Sequence, residues 1–520
     1  MEVTGLYGLN PVIHADYPDP DVVRVGDTYY MSSTSMHMFP GCQILRSYDL
    51  MHWEHCAYVY DALGETARQR MDGAGTTPEG KPVPRHIYGK GMWASSLKHD
   101  GRLFQVVFTS NDTGHSYHFT AENAEGPWTR QPMTGFWYDP GVLFDADGRV
   151  YIAHGNRHVR VTELTADLSE KKTGGIESTV VIDDNPRLGW EGSHMLHLGE
   201  WYYVFCIHWA PEEMRAMGCF RARTPAGPWE GGKFMELDLD GRGAGVAQGG
   251  PVQLHDGSWA LFLFQDHGAV GRIPVVVPMR WEDGWPVVSG VRAGKEVPKQ
   301  LDLPSSRPDH EYAPLYTSDE LTNGWSVLWQ WNHEPHPDLV TSDDHGLHLT
   351  TDRIAGDCTE AVNTLTQRCF GPACTAEVTV DGAALKVGDQ AGLCALQGCF
   401  AQLALVREAE GYALALASRE DEHAPYAIAP ATEPVRERLR VPVSQSRVTL
   451  RAAFDFGCDQ VQFSALLDGQ WQRIGHPHQL VYRLDHFMGC RVGLFAYATR
   501  ETGGTACFSG FTYHVEEENV

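Results

Sequence analysis

Three acidic residues occupy matching places in the first half of the chain. Asp19, Asp139 and Glu191 each precede a glycine by seven to nine residues, and each of these glycines joins two apolar or aromatic runs. When folding brings such carboxyls together, like charges and burial push their pKa values apart. One acid can then hold a proton while another stays ionised, as general acid–base catalysis requires. The spacing therefore indicates a candidate acid–base site.

The elements that must position these acids are strand–turn–strand units. Five units follow one another, and their turns contain Gly26, Gly101, Gly148, Gly199 and Gly257. The steps between turns are 75, 47, 51 and 58 residues, and repeats near 50 residues are typical of propeller blades. A Gly-Pro-Trp signal recurs at Trp128 and Trp229 and predicts a tryptophan packed between blades. We expect an all-β protein that begins with a five-bladed β-propeller, and the regular spacing disfavours the alternative of a β-sandwich.

The first strand of each propeller blade lines the central channel, so its beginning lies at one mouth of the channel. The positions at that register are Asp19, Trp93, Asp139, Glu191 and Gln248. Taken singly, the Asp-Pro dipeptides at 19 and 139 are compatible with simple turns. Three acids at matching register favour a shared site instead. A carboxyl pair with a third acid beside it suits glycoside hydrolysis.

The chain changes character beyond the fifth unit. Residues 289–318 are rich in Pro, Ser and charge, which is typical of a linker that runs over a surface. Short alternating strands without the hairpin period follow and predict a β-sandwich of jelly-roll type. The expected division is a propeller over residues 1–290, a linker over 291–318 and a concanavalin-like β-sandwich over 319–520.

Composition excludes several classes of partner. The formal net charge of −26 repels phosphate backbones and anionic membranes, so we expect no nucleic-acid binding and no membrane association. No run reaches the roughly 18–20 apolar residues of a transmembrane helix. The start of the chain shows neither a basic nor an apolar leader segment. The 12 cysteines include no C-x-x-C pair, which favours free thiols in a reducing compartment. Together these features predict a cytoplasmic protein.

Several motifs of the chain resemble those of a known family. Pro18-Asp19-Pro20 is similar to a general-base motif, Tyr138-Asp139-Pro140 to a pKa-modulator motif, and Glu191-Gly192 with His194 to an acid motif. Gly271-Arg272 resembles a substrate-binding arginine. The segments that begin at Leu328 and Asn363 resemble an appended sandwich domain, so the likeness runs over the whole chain. The family is glycoside hydrolase family 43, in its β-xylosidase and α-L-arabinofuranosidase branch.

The resemblance implies a role for each acid. Asp19 would be the general base, Glu191 the general acid and Asp139 the group that sets the pKa and position of the acid. The reaction would invert the anomeric centre, for which acid and base carboxyls roughly 6.5–9.5 Å apart are typical. The chain departs from the family pattern at Ser96, where an aspartate is frequent, and at Ser193, where a proline is frequent. Neither departure removes a catalytic group.

Further residues are candidates for binding substrate and metal. Phe39 and Trp93 could stack on the apolar face of a sugar ring or pack between blades. Arg272 could hydrogen-bond sugar hydroxyls or form a structural ion pair. Many family members hold a calcium ion in the channel through one histidine. Gln248 stands where that histidine is often found, so His267 is left as the best calcium ligand, with a core histidine as the alternative.

The expected function is an inverting exo-glycosidase that releases xylose from the non-reducing ends of β-1,4-xylo-oligosaccharides. An α-L-arabinofuranosidase acting on an arabinoxylan-derived substrate, or an enzyme with both activities, is the first alternative, because the two sugars present similar hydroxyls. A sugar-binding propeller without catalysis is the alternative of another class. Relatives with the sandwich domain often assemble as dimers or tetramers, so the resemblance is also compatible with a homo-oligomer.

Overall fold

The computed structural model describes residues 8–77, 80–291, 295–420 and 433–516. Nearly all regular structure consists of β-strands, which form a five-bladed propeller followed by a β-sandwich, as the sequence predicts. The expected absence of a leader depends on a segment that includes residues 1–7, which lie outside the described residues. Among the described residues, no helix has the length and apolar character needed to span a membrane.

The N-terminal strands form the first two blades and, through Gly8–Leu9 and Met38–Phe39, two further pairings. In chain order the strands are β1 (Gly8–Leu9), β2 (Asp21–Val25), β3 (Thr28–Ser33), β4 (Met38–Phe39), β5 (Gly41–Ser47), β6 (Glu54–Tyr60), β7 (Met92–His99), β8 (Phe104–Ser110), β9 (His115–Ala121) and β10 (Thr129–Gln131). Blade I is the antiparallel sheet β2-β3-β5-β6, and blade II is β7-β8-β9-β10. A short 3-10 helix at Ala67–Arg70 lies between them in the chain.

The other three blades repeat the four-stranded meander. Their strands are β11 (Gly141–Phe144), β12 (Val150–His154), β13 (His158–Leu164), β14 (Glu177–Ile182), β15 (Leu188–Leu198), β16 (Trp201–Trp209), β17 (Ala216–Ala222), β18 (Glu230–Met235), β19 (Val246–Gln253), β20 (Trp259–Asp266), β21 (Arg272–Glu282) and β22 (Trp285–Val288). Blades III, IV and V take four consecutive strands each. A 3-10 turn at Gly268–Val270 joins β20 to β21.

Tight turns join the first two strands of every blade. The five predicted turn glycines all occupy these turns, with φ between 63° and 96°. Residues with a side chain pay roughly 1–2 kcal/mol to enter this left-handed region. The regular spacing of these glycines in the sequence therefore reflects the repeat of the blades.

The tryptophans of the two Gly-Pro-Trp segments lie between blades, as predicted. Trp229 belongs to blade IV, and its Nε1 donates to Ser178 Oγ of blade III at 3.1 Å. Trp128 packs against a core cluster that contains residues of blades I and II. Large apolar rings therefore fill the space between neighbouring blades.

The sandwich consists of two packed sheets. Its part of the chain contains β23 (Gln300–Leu301), β24 (Gln330–Asn332), β25 (Val340–Asp343), β26 (Gly346–Thr350), β27 (Leu365–Arg368), β28 (Ala373–Ala384), β29 (Gln390–Leu396), β30 (Ala401–Arg407), β31 (Tyr412–Ser418), β32 (Arg436–Val443), β33 (Arg447–Asp455), β34 (Gln460–Leu467), β35 (Gln470–Arg473), β36 (His478–Gln479), β37 (Arg491–Tyr497) and β38 (Thr505–Glu516), with 3-10 turns at Pro337–Leu339 and Cys358–Glu360. One sheet has the order β32-β31-β30-β29-β37-β27-β24-β4, and the other has β25-β26-β38-β28-β33-β34-β35 with β36 beside β34. Burial alternates along β28, which therefore has one face in the core.

The two domains share main-chain pairing. Strand β4 leaves blade I and joins the sandwich sheet, where Phe39 lies opposite Trp331 of β24. Strand β1 pairs with β23 in the segment that connects the domains. This shared pairing fixes the sandwich against the first blade, beside the channel mouth.

The connecting segment contacts blade I through several hydrogen bonds. Tyr48 N–H donates to the Tyr312 hydroxyl at 2.9 Å, and Ser306 N–H donates to the Tyr48 carbonyl, also at 2.9 Å. His310 Nε2 lies 3.1 Å from the Glu54 carboxylate. Residues 292–294 of the predicted linker lie outside the described residues.

Candidate active site

The mouth of the propeller channel opens into a cavity of about 440 Å³. The five positions at the predicted register all line it, namely Asp19, Trp93, Asp139, Glu191 and Gln248. The two aspartates stand two residues before β2 and β11, and the other three residues lie within β7, β15 and β19. Cavities of this size are typical of sites for small ligands. The blade repeat thus places three carboxyls in one small space.

A residue in the left-handed region of backbone conformation recurs at or next to these positions in several blades. Asp19, Asp139 and Gln248 have φ of 52°, 48° and 53°, and Gly192 has φ of 63°. Aspartate tolerates this left-handed region better than most residues do. The pairing of β15 with β16 shifts register beside Glu191, and that of β19 with β20 shifts beside Gln248. Such bulges bend a strand and redirect its side chains, and they are frequent next to active sites.

Asp19 is paired with a cation. Arg272 Nη1 donates to both carboxylate oxygens, at 2.9 and 3.1 Å, and the Thr34 hydroxyl donates to Oδ2 at 2.7 Å. Asp19 and Arg272 are both buried. Donors of this number and charge suit an ionised acceptor, because charge-assisted hydrogen bonds are the stronger kind. This environment is compatible with the predicted role of Asp19 as a base.

Glu191 is held by neutral hydrogen-bond donors. The Tyr138 hydroxyl donates to Oε2 at 3.2 Å, and Asn156 Nδ2 donates to the same oxygen. Burial raises the pKa of Glu191 to about 7, the hydrogen bonds from Asn156 and Tyr138 oppose this rise, and the charge of Asp19 adds to it. A carboxyl whose pKa is raised in this way holds its proton at a higher pH than an ordinary glutamate does. Glu191 can therefore act as a proton donor.

Asp139 lies beside Glu191 and is also buried. The Gly192 N–H donates to its Oδ2 at 3.1 Å. Burial raises the pKa of Asp139 well above its usual range, and the charges of Glu191 and Asp19 raise it further. Joint ionisation of Asp139 and Glu191 is therefore disfavoured, and their protonation states depend on each other. This arrangement suits Asp139 for adjusting the protonation and position of Glu191.

Arg272 connects the base to both domains. Its main-chain N–H donates to Asp16 Oδ1 at 2.7 Å, and Asp16 Oδ2 accepts from Gly489 N–H of the sandwich at 2.9 Å. The Arg272 guanidinium also lies 4.5 Å from the ring centroid of Phe487. The ion pair with Asp19 is thus present, and the side chain still lines the cavity, so both expected roles of Arg272 are compatible. No local pattern in the sequence points to Asp16.

A loop of the sandwich forms part of the cavity wall through Leu484 and Phe487. The Phe487 ring meets Trp93 edge to face, with centroids 5.4 Å apart. Cys490 N–H, just beyond the loop, donates to the Ala269 carbonyl of the propeller at 2.8 Å. Sequence spacing cannot reveal this wall, because the loop is remote from the acids along the chain and reaches them only through domain packing.

Another part of the wall consists of an aromatic residue with two cations. Trp209 ends β16, and the guanidinium groups of Arg187 and Arg215 lie 3.3 and 4.4 Å from its ring centroid. Arg215 also forms an ion pair with Asp266. The aromatic run of β16 is the signal in the sequence that could have indicated Trp209.

The structure separates the two residues expected to stack on sugar. Trp93 lines the cavity, and its ring meets Tyr138 edge to face with centroids 5.9 Å apart. Phe39 is only 1% exposed and packs in a core cluster, where its ring meets Tyr60 at 6.0 Å. The expectation that Phe39 contacts substrate is therefore corrected. Its strand joins the sandwich sheet, which carries the ring into the core and away from the pocket.

His267 is not part of the cavity wall, and the described residues place no group of three or more acidic, His or Cys side chains around it. The side chain is buried, Nδ1 has no hydrogen-bond partner, and the ring meets His14 edge to face at 5.2 Å. Burial lowers the pKa of His267 to about 2, with Arg242 among the neighbouring cations. Calcium prefers six to eight oxygen ligands. Within the described ranges, no three or more His, Cys, Asp or Glu side chains form a group that could hold a metal ion. Calcium at His267 therefore stays a prediction.

The chemistry of this pocket follows from its two kinds of carboxyl. A protonated carboxyl can donate to the leaving oxygen of a glycosidic bond while an ionised one activates water. Fold and site together define a glycoside hydrolase. Residues 9–286 match the sequence profile of glycosyl hydrolases family 43, and residues 321–514 match that of the beta-xylosidase C-terminal concanavalin A-like domain. The chain belongs to glycosyl hydrolases family 43.

Similar proteins have names consistent with this family. A putative beta-xylosidase of Xylanibacter ruminicola is 31% identical over 369 residues, which cover 68% of this chain and 65% of that protein. Xylosidase/arabinosidase 43B of Humicola insolens is 26% identical over 552 residues, covering 97% of each chain. The solved structure of a bifunctional GH43-CE protein of Bacteroides eggerthii has a TM-score of 0.87 at 36% identity, and the match covers 99% of this chain and 64% of that chain. This chain thus spans about two thirds of the Xylanibacter and Bacteroides proteins.

Proposed function

We propose that this protein is an inverting exo-glycosidase that releases xylose from the non-reducing ends of β-1,4-xylo-oligosaccharides. The observation that carries the proposal is the contrast between two buried acids of one pocket. Glu191 has a pKa of about 7, whereas Asp19 is paired with Arg272. Glu191 donates its proton to the glycosidic oxygen as the bond from that oxygen to C1 breaks. Asp19 takes a proton from the water that attacks C1 on the opposite face, so the anomeric configuration inverts.

The shape of the pocket supports action at a chain end. The cavity is small, and Leu484 and Phe487 of the sandwich form part of its wall. A cavity of about 440 Å³ is of the size that small ligands occupy, which suits a terminal sugar and its neighbour. The sandwich thus supports exo specificity by position, without supplying a catalytic acid.

Aromatic and cationic groups would hold the terminal sugar. Trp93 and Phe487 offer edge-to-face rings whose exposed faces can pack on the apolar side of a pyranose. Arg272 keeps Asp19 oriented and can share its guanidinium with a sugar hydroxyl. Asp139 keeps a proton available to Glu191 through their mutual repulsion.

Turnover of xylobiose, followed by NMR from the first minutes, tests the proposal. We expect wild-type enzyme to release α-xylose first from the β-linked substrate, with mutarotation to the β anomer afterwards. The variants Asp19→Ala and Glu191→Ala should release xylose at a rate lower by several orders of magnitude. Initial appearance of β-xylose would contradict inversion, and undiminished turnover by either variant would contradict its assigned role.

The second candidate is an α-L-arabinofuranosidase or an enzyme with both activities. It is favoured by the similarity to Xylosidase/arabinosidase 43B, which extends over 97% of this chain. The same acid, base and modulator would serve either sugar. Initial rates on nitrophenyl β-D-xylopyranoside and nitrophenyl α-L-arabinofuranoside separate the candidates. A higher kcat/KM on the arabinoside would replace the first proposal by the second.

The alternative without catalysis is a sugar-binding propeller. It predicts that wild type and Glu191→Ala bind xylobiose equally and that neither turns it over, which calorimetry and product analysis can measure together.

Our proposal also includes action on imported oligosaccharides in the cytoplasm, and it is compatible with a homo-oligomer. Both of these rest on the sequence and its family resemblance alone.

A further inference from the structure

Two adjoining cavities lie on the outer edge of the propeller, where its first two blades meet the sandwich. One of about 550 Å³ is lined in part by Trp325, and the other, of about 480 Å³, is lined in part by Trp128. Both include Tyr58, Asp61 and Glu125 in their walls, so they adjoin each other. We call the pair the edge groove. It shares no lining residue with the catalytic cavity.

Aromatic side chains line the edge groove along its length. Trp325 is 38% exposed, and the buried Trp331 meets it at 87° with ring centroids 5.4 Å apart. Val327, two residues further along the chain, is 63% exposed. In the other cavity, Trp128 is half-buried and its Nε1 donates to the Ala124 carbonyl at 3.1 Å. Both tryptophans are thus held in place by neighbours while part of each ring remains accessible.

Polar groups between the two tryptophans are mainly hydrogen-bond acceptors. Asp61 and Glu125 are exposed and lie in the part of the wall that both cavities share. Arg46 Nη1 lies 3.2 Å from Glu125, so one of the two carboxylates is partly neutralised. Aromatic faces flanked by acceptors suit a chain of neutral sugars, whose C–H faces stack and whose hydroxyls donate. Arg130 also lines one of the cavities, but it is paired with Glu65. Anionic polymers are disfavoured by the two carboxylates and by the net charge of −26.

We propose that the edge groove is a second carbohydrate-binding site, which holds a neutral oligosaccharide chain of the xylan class outside the catalytic pocket. The choice of xylan rests on the proposed function, whereas the preference for a neutral sugar chain rests on the groove alone. Two adjoining cavities offer contacts for more than one sugar of a chain. Binding at the groove would keep a longer xylo-oligosaccharide close to the enzyme between successive cleavages.

A second copy of this chain is the competing occupant. A stable interface between proteins buries about 800 Å² on each partner and has an apolar centre. In the described part of the groove, Trp325 and Val327 are the only large apolar side chains that are exposed. The surface is also concave, whereas self-association requires a surface that complements itself. These features favour a narrow chain over a protein surface.

Affinity electrophoresis of the full chain in native gels that contain soluble arabinoxylan tests the proposal. Excess xylose in the gel occupies the catalytic pocket, so that retardation reports binding elsewhere. The informative variant is Trp325→Ala, and the matched control is Trp471→Ala. Trp471 is a half-buried tryptophan of the sandwich outside the groove, with the Arg451 guanidinium 3.7 Å from its ring centroid. Parallel gels contain polygalacturonate as an anionic chain.

We expect arabinoxylan to retard wild type and Trp471→Ala equally, and Trp325→Ala to bind it roughly 3- to 10-fold more weakly. Its kcat/KM on a nitrophenyl glycoside should stay within a factor of about two of wild type, since the groove is separate from the pocket. Equal retardation of Trp325→Ala and wild type would overturn the proposal. So would the absence of retardation in wild type, or stronger retardation of wild type by polygalacturonate.

Sedimentation of the same proteins tests the competing occupant. A change from oligomer to monomer in Trp325→Ala, with unchanged retardation by arabinoxylan, would show that the groove joins copies of the chain and would overturn the proposal. An unchanged sedimentation coefficient together with lost retardation supports it. Failure of the proposed catalytic function is distinguishable, because it would appear as inactivity on both nitrophenyl glycosides whatever the gels show.

Discussion

Two buried clusters of titratable side chains respond to burial in opposite ways. The carboxyl cluster at the channel mouth contains Asp19, Asp139 and Glu191. The histidine cluster lies between the domains and contains His37 and His86 of the propeller with His333 and His486 of the sandwich. Burial raises the pKa of Glu191 and Asp139 and lowers the pKa of all four histidines. In both places the low dielectric favours the neutral form.

The clusters differ in the charges that surround them. The carboxyl cluster includes a cation, Arg272, which pairs with only one of the three acids. The charged neighbours of the histidine cluster are mostly cations, including Arg68, Arg419, Arg483 and Arg491, with Asp485 as an opposing charge on His86. One counter-ion beside several acids divides them into ionised and protonated members, which is useful for catalysis. Burial, with the neighbouring cations adding to it, favours the neutral form of all four histidines, which suits them for packing.

The geometry of the histidine cluster agrees with a packing role. His37 and His333 have ring centroids 5.0 Å apart, and Tyr88 stacks on His486 at 4.0 Å. Ile87 N–H donates to His333 Nε2 at 3.0 Å, and neither nitrogen of His37 has a hydrogen-bond partner. His486 directly precedes Phe487 of the pocket wall. The histidine cluster therefore supports the active site by fixing the domain junction.

The largest expected effect comes from removing the proton donor. On xylobiose, Glu191→Ala should lower kcat by roughly 10³- to 10⁴-fold, because general acid catalysis is lost for a poor leaving group. On a dinitrophenyl glycoside the loss should be much smaller, since that leaving group needs little protonation. Steady-state kinetics on both substrates measures the difference. Asp19→Ala is the matched control, because loss of the base should affect both substrates alike, and equal losses for Glu191→Ala would contradict the assignment.

Removing the Arg272 counter-ion should make the protonation states of the three acids more alike. Arg272→Met leaves Asp19 buried without its cation, and we expect kcat/KM to fall roughly 10²- to 10³-fold. Arg272→Lys keeps the charge but not the two-pronged geometry, so its loss should be smaller. Kinetics on one nitrophenyl glycoside compares the two variants. A larger loss in the lysine variant would show that charge at this position is not what matters.

The pH profile reports the protonation of the acid. Activity requires protonated Glu191, so kcat/KM should fall as the pH rises through its pKa of about 7. The hydroxyl of Tyr138 stabilises the ionised form, so Tyr138→Phe should move this alkaline limb up by roughly one pH unit. Rates from pH 5 to 9 test this. A limb that stays in place, or moves to lower pH, would contradict the role of the hydrogen bond.

The histidine cluster should make the fold sensitive to acid. The folded-state pKa values lie below the unfolded value of about 6.5, so stability is complete above that pH and is lost as the pH falls. The expected loss is about 1.4 kcal/mol per histidine for each pH unit below roughly 6.5. Thermal unfolding from pH 7.5 to 5.0 measures it, and His37→Leu should show a shallower dependence. His345→Leu, whose side chain is 78% exposed, is the control and should behave like wild type.

The smallest expected effect concerns the predicted calcium ion. Because no group of three or more His, Cys, Asp or Glu side chains in the described residues could hold a metal ion, we expect kcat to survive exhaustive chelation unchanged. Activity before chelation, after it and after addition of calcium is the measurement. Loss of activity that calcium restores would favour the prediction made from the family resemblance instead.

The sequence by itself determines the blade count and the register of the acids. Both are local periodic features, since a turn glycine and an acid seven to nine residues before it recur within single strand–turn–strand units. Asp19, Asp139 and Glu191 could be placed at one mouth because every blade has the same geometry. The same register places Trp93 in the pocket wall. The change of sequence pattern near residue 319 indicates the second domain.

Tertiary structure alone decides what surrounds those acids. Phe39 became a core residue because β4 pairs with the sandwich, and Phe487 became a pocket residue because its loop packs against the propeller. Asp16 joins Arg272 to that loop through hydrogen bonds between distant segments. The pKa of Glu191 likewise depends on burial and on Asn156, Tyr138 and Asp19. Such contacts depend on how the domains pack, and a pattern within one blade cannot contain them.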